Sequence, residues 1–429
     1  MILLKNFRNI FKIPELTKKL LVTLGILIVH RIGSYIPAIG VNGEYLAQYL
    51  AKSQTVSGFL KYFDIFSGGS LERFTLFSLS IGPYINASII MQMLTLTIPS
   101  LEQLSKEGDY GRKVINQYTR YLALFISIAY ALGAALFLNH QNTLDPNLLI
   151  QPGWGFIFIF TLSIAVGSMF VMWLGEQISL FGIGNGSSMI IFAGIVSRLP
   201  ATVLAIVQAG MSHPIKVLLV LILFILITGS IVYLEKADRK IPVQYARRII
   251  GQRVYGGQST YIPFKINTSG IMPVIFAQAL LNIPPFLIGI LGIKWLSNVF
   301  SPGGALYNAL EFALIIFFTY FYTAVAFNPT ELADNIKKSG GFIPGIRPGK
   351  QTADYFDFIL NRIGLVGAVY LGFLAIAPGI LSRILNIPFI PGTSLLIMVS
   401  VALEMSAQIE SYLIEHKYEG FLTTGRIKR

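Results

Sequence analysis

Ile81-Gly82-Pro83-Tyr84-Ile85 lies in the second long apolar segment of the chain, and Ile271-Met272-Pro273-Val274-Ile275 lies in the seventh. Both stretches read Ile-x-Pro-x-Ile, and each is followed by a helix-spaced amide, Gln92 or Asn282. Because proline lacks the N–H for one helical hydrogen bond and its ring crowds the preceding turn, we expect a kink within each helix. Interrupted segments at matching places in two halves of a membrane protein indicate a site at the repeat interface of a carrier or channel. A single such proline is also tolerated in ordinary membrane helices, so the prediction depends on the matched pair.

The composition is that of an integral membrane protein, since 54% of the 429 residues are hydrophobic and only 12% are charged. A membrane-spanning helix needs about 20 mostly apolar residues, and the alternating ten-residue segments of an outer-membrane barrel are missing. We therefore predict an all-α polytopic membrane protein with ten transmembrane helices. The N-terminal half, 1–207, would contain helices 1–5, and the C-terminal half, 208–429, would contain helices 6–10. The predicted spans are 20–36, 74–98, 118–138, 154–174, 187–207, 215–234, 271–293, 307–327, 363–385 and 393–413.

Nothing in the sequence indicates catalytic chemistry. The chain has no cysteine, which excludes disulfides and thiolate chemistry, and its four histidines are scattered without the spacing of zinc ligands. We therefore expect no enzymatic activity, no cofactor and no metal. Ion-coupled carriers place carboxylates inside their spans. Glu176 and Glu404 lie near predicted helix ends, and Glu404 is the only carboxylate that we consider well inside a span. This lack of intramembrane carboxylates disfavours a secondary transporter.

The distribution of positive charge predicts the orientation. If the N-terminus is cytoplasmic, most of the 33 Lys and Arg residues lie on the cytoplasmic side, which also places the C-terminus there. Basic loops beside membrane helices usually fix the topology or contact anionic lipid. Two long basic loops on one side favour a docking platform for an acidic protein surface or an RNA backbone. Loop 6/7 contributes Lys236, Arg239, Lys240, Arg247, Arg248, Arg253 and Lys265, and loop 8/9 contributes Lys337, Lys338, Arg347 and Lys350.

The segments before predicted helix 2 carry two predictions. In residues 1–19, Phe7, Ile10 and Phe11 have helical spacing between basic residues, which predicts an amphipathic interfacial helix. A removable signal peptide is disfavoured, because no small-residue cleavage site is evident after residue 36 and nine more spans follow. The apolar run 59–66 is too short to span. It predicts either a half-helix folded back into the protein or a helix lying on the lipid surface.

Two cytoplasmic loops carry local predictions. Residues 101–119 mix acids and bases and are predicted to form a solvated turn. In loop 4/5, which we take to hold Gly175-Glu176-Gln177, residues 182–186 read Gly-Ile-Gly-Asn-Gly. Nucleotide binding is disfavoured for this glycine-rich stretch, because no strand precedes it and no lysine stands at the required place. We expect a turn that leads into helix 5, with Asn185 or Ser187 as the helix cap.

Over essentially its whole length, the chain resembles the SecY/Sec61 alpha family of protein-conducting channel subunits. Several rare strings occur in the family's order between the expected helices. They cover residues 31–37, 64–69, 82–85, 107–121, 182–186, 241–246, 272–277, 328–329, 345–349 and 392–397.

This resemblance implies a ten-helix clamshell, with helices 1–5 and 6–10 related by an in-plane pseudo-twofold axis. An unfolded polypeptide crosses between the halves, and nascent membrane helices leave sideways between helices 2 and 7. The pore is passive, and a partner imposes direction. The implied partners are the SecE and SecG subunits, the motor ATPase SecA, the ribosome, signal sequences, nascent polypeptides and membrane lipid. The implied location is the bacterial inner membrane.

The resemblance also assigns residues by position. Branched apolar side chains make no hydrogen bonds, so a ring of them excludes water and ions. The implied pore ring is Ile81, Ile85, Ile191, Ile275 and Ile397. The implied plug of the outer funnel is Phe63, Ile65, Phe66, Ser67, Gly68 and Gly69. The implied lateral gate includes Pro83, Asn86, Gln92, Pro273, Gln278 and Asn282. The implied docking surface for a ribosome or SecA includes Arg247, Arg248, Arg253 and Arg347.

Two departures from the family pattern flank the glycine-rich stretch 182–186. Ser187 occupies a place where a further ring isoleucine is often found, and Leu180-Phe181 stand where a charged pair is common. The sequence leaves two other classes of function open. One is a secondary solute transporter with the same inverted repeats, and the other is an inert scaffold subunit.

Overall fold

The computed structural model describes residues 13–43, 45, 67–71, 73–144, 149–150, 152–210, 214–245, 248–250, 253–255, 259–291, 304–385 and 390–425. The helices are α1 (Pro14–Gly33), α2 (Gly82–Thr97), α3 (Pro99–Lys106), α4 (Asp109–Leu144), α5 (Trp154–Phe181), α6 (Gly186–Gly210), α7 (Pro214–Lys236), α8 (Met272–Leu291), α9 (Ala305–Ala326), α10 (Pro329–Lys338), α11 (Lys350–Leu385) and α12 (Gly392–Gly425). The strands are β1 (Asp238–Tyr245), β2 (Arg248–Ile250), β3 (Arg253–Tyr255), β4 (Ser259–Lys265) and β5 (Gly341–Phe342).

The helices identify a multi-pass membrane protein. A helix lies at each of the ten predicted positions. Within the described ranges, seven helices are long and apolar enough to cross a bilayer, or eight if the bent pair α2–α3 counts as one span. The helices α1 and α8 are not among them, so the count of ten spans stays a prediction. Residues 1–12 of the predicted interfacial helix lie outside the described residues. Residues 14–19 belong to α1 itself, so no separate interfacial helix covers them.

The two Ile-x-Pro-x-Ile motifs begin helices, and the predicted kinks within helices are wrong. The second span was expected to be helical from residue 74, but residues 73–81 form turns and α2 begins at Gly82. Pro83 lies in the first turn of α2, and Pro273 is the second residue of α8. Proline fits the first turn because the missing N–H has no partner there in any helix. Both prolines are buried.

The turns that precede α2 are held by contacts outside any helix. Leu76 N donates to Ile36 O at 2.8 Å, and Ala38 N donates to Phe74 O at 2.9 Å. Ser168 Oγ in α5 donates to Ser80 O at 3.2 Å. Phe74 and Ser80 have positive φ values of 44° and 48°, which a helix cannot accommodate. Irregular backbone at membrane depth is tolerated where protein buries it, and this segment is largely buried.

Two predicted loops are largely helical. Residues 101–119 were expected to form a solvated turn, but α3 occupies 99–106, bent 100° away from α2, and α4 begins at Asp109. Only Glu107 and Gly108 separate these helices, and Gly108 supplies the break with a φ of +72°. Gly175-Glu176-Gln177, expected in loop 4/5, lies inside α5. Polar residues of good helix propensity continue these helices beyond the apolar spans.

The described residues are mostly helical, as predicted, but the all-α prediction is wrong for two connections, since β1 to β4 lie between α7 and α8 and β5 lies between α10 and α11. Strands β4, β1 and β5 form an antiparallel sheet in that order, and β2 pairs with β3. Ile241 and Val243 of β1 are buried, whereas Lys240, Pro242 and Gln244 between and beside them are exposed. This alternation has the two-residue period of a strand with one buried face.

Contacts divide the chain into two compact units. The first comprises 1–205, 279–304 and 401–429, and the second comprises 206–278 and 305–400. In the first unit, Phe74, Ala131 and Phe160 belong to one buried cluster that joins the turn segment to α4 and α5. In the second unit, a cluster that includes Val243 and Phe356 joins the sheet to α10 and α11. The inverted halves 1–207 and 208–429 stay a prediction.

Candidate functional site

The five isoleucines of the predicted ring are buried or half-buried. Ile81 and Ile191 in the first unit are 2% and 1% exposed, and Ile85 is half-buried. Ile275 and Ile397 in the second unit are 6% and 0% exposed. Ile81 packs against α5, because a Cβ added at Gly175 would lie 3.1 Å from Ile81 Cδ1.

The predicted gate residues contact neighbours within their own units. Asn86 Nδ2 donates to Tyr130 OH in α4 at 3.0 Å, and Gln92 Nε2 lies 3.5 Å from Ser88 Oγ on its own helix. Gln278 is 1% exposed in α8. Asn282 also lies in α8, but its side chain is outside the described residues.

Of the predicted plug, Phe63, Ile65 and Phe66 lie outside the described residues, and Ser67, Gly68 and Gly69 follow them. Arg31 Nη1 at the end of α1 donates to Gly68 O at 2.9 Å. Gly68 has a φ of +66°, and a Cβ there would lie 2.9 Å from Gly194 Cα in α6. Only glycine combines this backbone conformation with so close an approach. This end of the predicted plug is therefore held between α1 and α6.

The glycine turn between α5 and α6 connects four helices of the first unit. Ile183 N donates to Thr23 Oγ1 in α1 at 3.0 Å. Gly184 N donates to Gln408 Oε1 in α12 at 2.8 Å, and Gly186 N donates to Ser179 Oγ in α5 at 2.9 Å. These backbone N–H groups are the type that would bind a phosphate in a nucleotide loop. Because these N–H groups already donate hydrogen bonds to side-chain oxygens of the protein, the turn has a structural role.

Asn185 caps α6, as the sequence predicted. Its Oδ1 accepts hydrogen bonds from Ser187 N at 3.0 Å and from Ser188 N at 3.4 Å. Ser187 Oγ donates to the same oxygen at 2.6 Å, so the alternative cap, Ser187, supports Asn185. The departure at Leu180-Phe181 gives an apolar tip, since these side chains are 69% and 60% exposed at the end of α5.

Replacing Asn185 with alanine is expected to lower the free energy of unfolding by about 1 kcal/mol, because the first N–H groups of α6 lose their acceptor. The thermal unfolding midpoint of the purified chain in detergent measures this change. Asn361→Ala is the matched control. Asn361 Nδ2 donates to Asp357 Oδ2 one turn away at 3.2 Å, and both residues are exposed. Equal midpoints for the two variants would contradict the capping role.

A polar network at the start of α8 was not predicted from the sequence. Asn267 Nδ2 donates to Glu235 Oε1 in α7 at 2.8 Å and to Gly270 O at 3.1 Å. Ser400 Oγ in α12 donates to the same Glu235 oxygen at 2.8 Å. The network ties the turn that begins α8 to α7 and to the first part of α12. Glu235 could have been identified from the sequence, because it is the acidic residue that ends an otherwise apolar span.

The expectation that Glu404 is the only carboxylate well inside a span is wrong, because Glu311 also lies in a candidate span. Glu404 is exposed, whereas Glu311 in α9 is only 5% exposed. Glu311 Oε1 accepts a hydrogen bond from Gln278 Nε2 at 2.5 Å. Glu176 lies in α5 and forms an ion pair with Arg120 Nε of α4 at 2.7 Å. Within the described ranges, no three His, Asp or Glu side chains approach closely enough to hold a metal ion.

The two basic loops join in one folded module of the second unit. Strand β1 from loop 6/7 pairs with β5 from loop 8/9, with Gln244 opposite Phe342 and Tyr245 opposite Gly341. Arg347 is exposed on the following turn, where Gly345 and Gly349 have positive φ values. Its carbonyl accepts a hydrogen bond from Thr352 Oγ1 at 2.9 Å. Arg248 and Arg253 lie in the β2–β3 hairpin, and Arg247 is outside the described residues.

Comparison with known proteins gives concordant matches. The SecY family profile matches residues 75–406. The protein translocase subunit SecY of Aquifex aeolicus is 46% identical over 424 residues, covering 97% of this chain and 98% of that protein. A solved SecY structure, whose plug domain is described as stabilising the closed state of the translocation channel and maintaining a membrane seal, matches with a TM-score of 0.64 and 21% identity. Sec61 in a canine ribosome–channel complex from the endoplasmic reticulum matches with a TM-score of 0.58 and 19% identity. Each structural match covers 92% of both chains, and identities this low carry information on the fold alone.

Proposed function

The chain belongs to the SecY family, and from this membership we propose that it is the channel-forming subunit of a protein translocase. It conducts unfolded secretory polypeptides across the membrane and releases membrane-protein helices laterally into the lipid. The observation that carries this function is the 46% identity to a translocase subunit over 97% of the chain. The pore is passive, and a motor or a ribosome supplies the direction.

The proposed architecture has ten transmembrane helices in two inverted halves, 1–207 and 208–429, with both termini in the cytoplasm of a bacterial cell. Helices at all ten expected positions support it. So does the matched placement of Pro83 and Pro273 at the starts of α2 and α8, because discontinuous helices at corresponding places are typical of an inverted-repeat site. The cytoplasmic side carries the exposed cations of the sheet module.

The proposed seal is the ring of Ile81, Ile85, Ile191, Ile275 and Ile397. Their burial supports the assignment, and hydrophobic constrictions gate by losing water. The proposed plug ends at Gly69, and Arg31 binds the carbonyl of Gly68 next to that end. The lateral gate consists of α2 and α8.

The proposed partners are SecE, SecG, SecA and the ribosome, together with signal sequences, nascent chains and lipid. Sec61, which shares this fold, occurs in a ribosome–channel complex. The docking surface consists of the exposed cations of the sheet module and its flanking helices. These cations are Lys236, Arg239, Lys240, Lys265, Lys337, Lys338, Arg347 and Lys350. The proposed surface also includes Arg247, Arg248 and Arg253, whose side chains lie outside the described residues.

Reconstitution tests the function directly. The purified chain with its partner subunits in vesicles should import a secretory preprotein into a protease-protected space when SecA and ATP are present. Omitting ATP should abolish import, because the pore itself supplies no direction. Failure to import with both present, in vesicles that contain correctly inserted channel, would overturn the proposal.

Replacing Arg347 with glutamate should reduce SecA-driven translocation by roughly tenfold, because a charge reversal replaces attraction to an acidic partner surface with repulsion. Insertion of the channel into membranes should stay unchanged, since the side chain is exposed. Arg347→Lys, which keeps the charge, is the matched control and should retain most of the activity. Translocation at the normal rate by the glutamate variant would remove Arg347 from the docking surface.

A further inference from the structure

Glu311 places a carboxylate inside the apolar helix α9. It lies in a candidate membrane span and is 5% exposed. A carboxylate in such surroundings is costly unless a hydrogen bond compensates for its lost hydration. The described structure supplies one compensating bond, from Gln278 Nε2 at 2.5 Å.

Gln278 also depends on its hydrogen bond to Glu311. Gln278 is 1% exposed, and its Oε1 is buried without a hydrogen-bond partner among the described residues. Breaking the bond would therefore strand two polar groups in apolar surroundings, and each stranded group carries a desolvation cost.

Aromatic contacts join the same two helices. The ring of Phe276 in α8 packs edge-on against Phe318, with centroids 5.8 Å apart, and against Tyr322 at 6.1 Å. Helix α9 is in turn closely packed on α11, because a Cβ added at Gly372 would lie 2.6 Å from Phe312 Cδ2. Helix α9 is thus held by its packing on α11, and the first turns of α8 pack on α9 through Phe276.

We propose that the Glu311–Gln278 hydrogen bond is a latch that positions α8, and with it Ile275, in the closed channel. Ile275 precedes Gln278 by three residues, less than one helical turn, so its position follows that of the latch. Glu311 is a positioning residue, because it acts on the seal through Gln278. This inference deepens the proposed function and rests on it, since α8 forms a gate only if the protein is a channel.

Four variants test the latch in the complete chain with its partner subunits in lipid nanodiscs. They are Glu311→Leu, Gln278→Leu, the double variant and Glu311→Gln. Hydrogen exchange of amides 274–281 should become about tenfold faster in each single leucine variant, because one polar partner stays buried and unpaired. The double variant should return close to wild type, since no stranded group remains. Glu311→Gln should resemble wild type, because an amide oxygen still accepts from Gln278. Glu410→Gln is the matched control for loss of an exposed carboxylate.

Ion leak in planar bilayers provides the functional readout. Each single leucine variant should leak more than wild type, and the double variant and Glu311→Gln should not. If exchange in α8 is the same in all variants, the latch is overturned, whatever the wild-type chain transports. If exchange changes but leak does not, the pair is structural only and the positioning role is overturned.

Failure of the proposed function has a different signature from failure of the latch. If exchange changes as expected but wild-type vesicles import no preprotein with SecA and ATP, the latch stands as a contact and the channel assignment falls. Should Glu311→Leu not fold, the comparison of Gln278→Leu with Glu311→Gln gives the same decision.

Discussion

Replacing Ile275 with asparagine is expected to raise the ion conductance of the closed channel by about tenfold. A ring of branched apolar side chains excludes water, because water confined there cannot replace its lost hydrogen bonds. The side-chain amide of an asparagine in the ring would supply hydrogen bonds to that water. A barrier lowered by about 1.4 kcal/mol is enough for a tenfold increase in rate. Single-channel recording in planar bilayers measures the effect, and Ile85→Asn should act in the same direction.

The same variants should also transport substrates that the wild-type channel rejects. A looser closed state needs less stabilisation from a signal sequence, so preproteins with defective signals should enter vesicles at a higher rate. Ile90→Asn is the matched control, because Ile90 lies on the same helix as Ile85 but is 41% exposed. Wild-type conductance and wild-type signal selectivity in Ile275→Asn would exclude this residue from the seal. Equal leak through Ile90→Asn would show that any asparagine in α2 disturbs the channel.

Gly186→Ala is expected to prevent most of the chain from folding. A Cβ at Gly186 would lie 1.7 Å from Gly175 O and 2.6 Å from Gly175 C. The obstacle is backbone of α5, which no side-chain rotation can move, so α5 and α6 would have to separate. Overpacking of this kind costs several kcal/mol, which is comparable to the whole stability of many proteins. Size-exclusion chromatography after detergent extraction measures the fraction of monodisperse protein.

Gly229→Ala is the matched control for this substitution. Gly229 lies within α7, and a Cβ there would meet no atom within 4 Å. Alanine has the higher helix propensity by about 1 kcal/mol, so this variant should be as stable as wild type or more so. A Gly186→Ala chain of normal yield, with an unfolding midpoint within about 2 °C of wild type, would contradict the close approach of α5 and α6.

The sequence predicts the positions of the membrane helices well, because bilayer thickness sets a length of apolar chain. It predicts their ends poorly. Helix α11 begins at Lys350, thirteen residues before the predicted span, since its polar first turns favour helix but carry no hydropathy signal. Residues 73–81 look like the start of a span, and their backbone is fixed by tertiary contacts such as Leu76 N to Ile36 O. No local pattern reports such a contact.

The candidate site, too, could be predicted from the sequence only in part. The prolines could be matched from sequence, but their place at helix starts could not, because it depends on how the preceding turns are held. Two features that were not predicted are nevertheless indicated by the sequence. Glu311 is a lone carboxylate in an apolar run. The buried Ile241 and Val243 stand two residues apart on either side of exposed Pro242, which is the period of a strand.

Strand pairing in the sheet module depends on main-chain atoms, with the buried side chains of β1 supplying the packing beneath. The outward side chains of the same strands lie on the exposed face, where Lys240 Nζ is 4.9 Å from the centroid of the Tyr261 ring. Substitutions at exposed positions usually change the free energy of unfolding by less than about 0.5 kcal/mol. On the proposed docking surface, affinity for a partner can therefore be tuned by exchanging outward side chains, without rebuilding the fold that presents them.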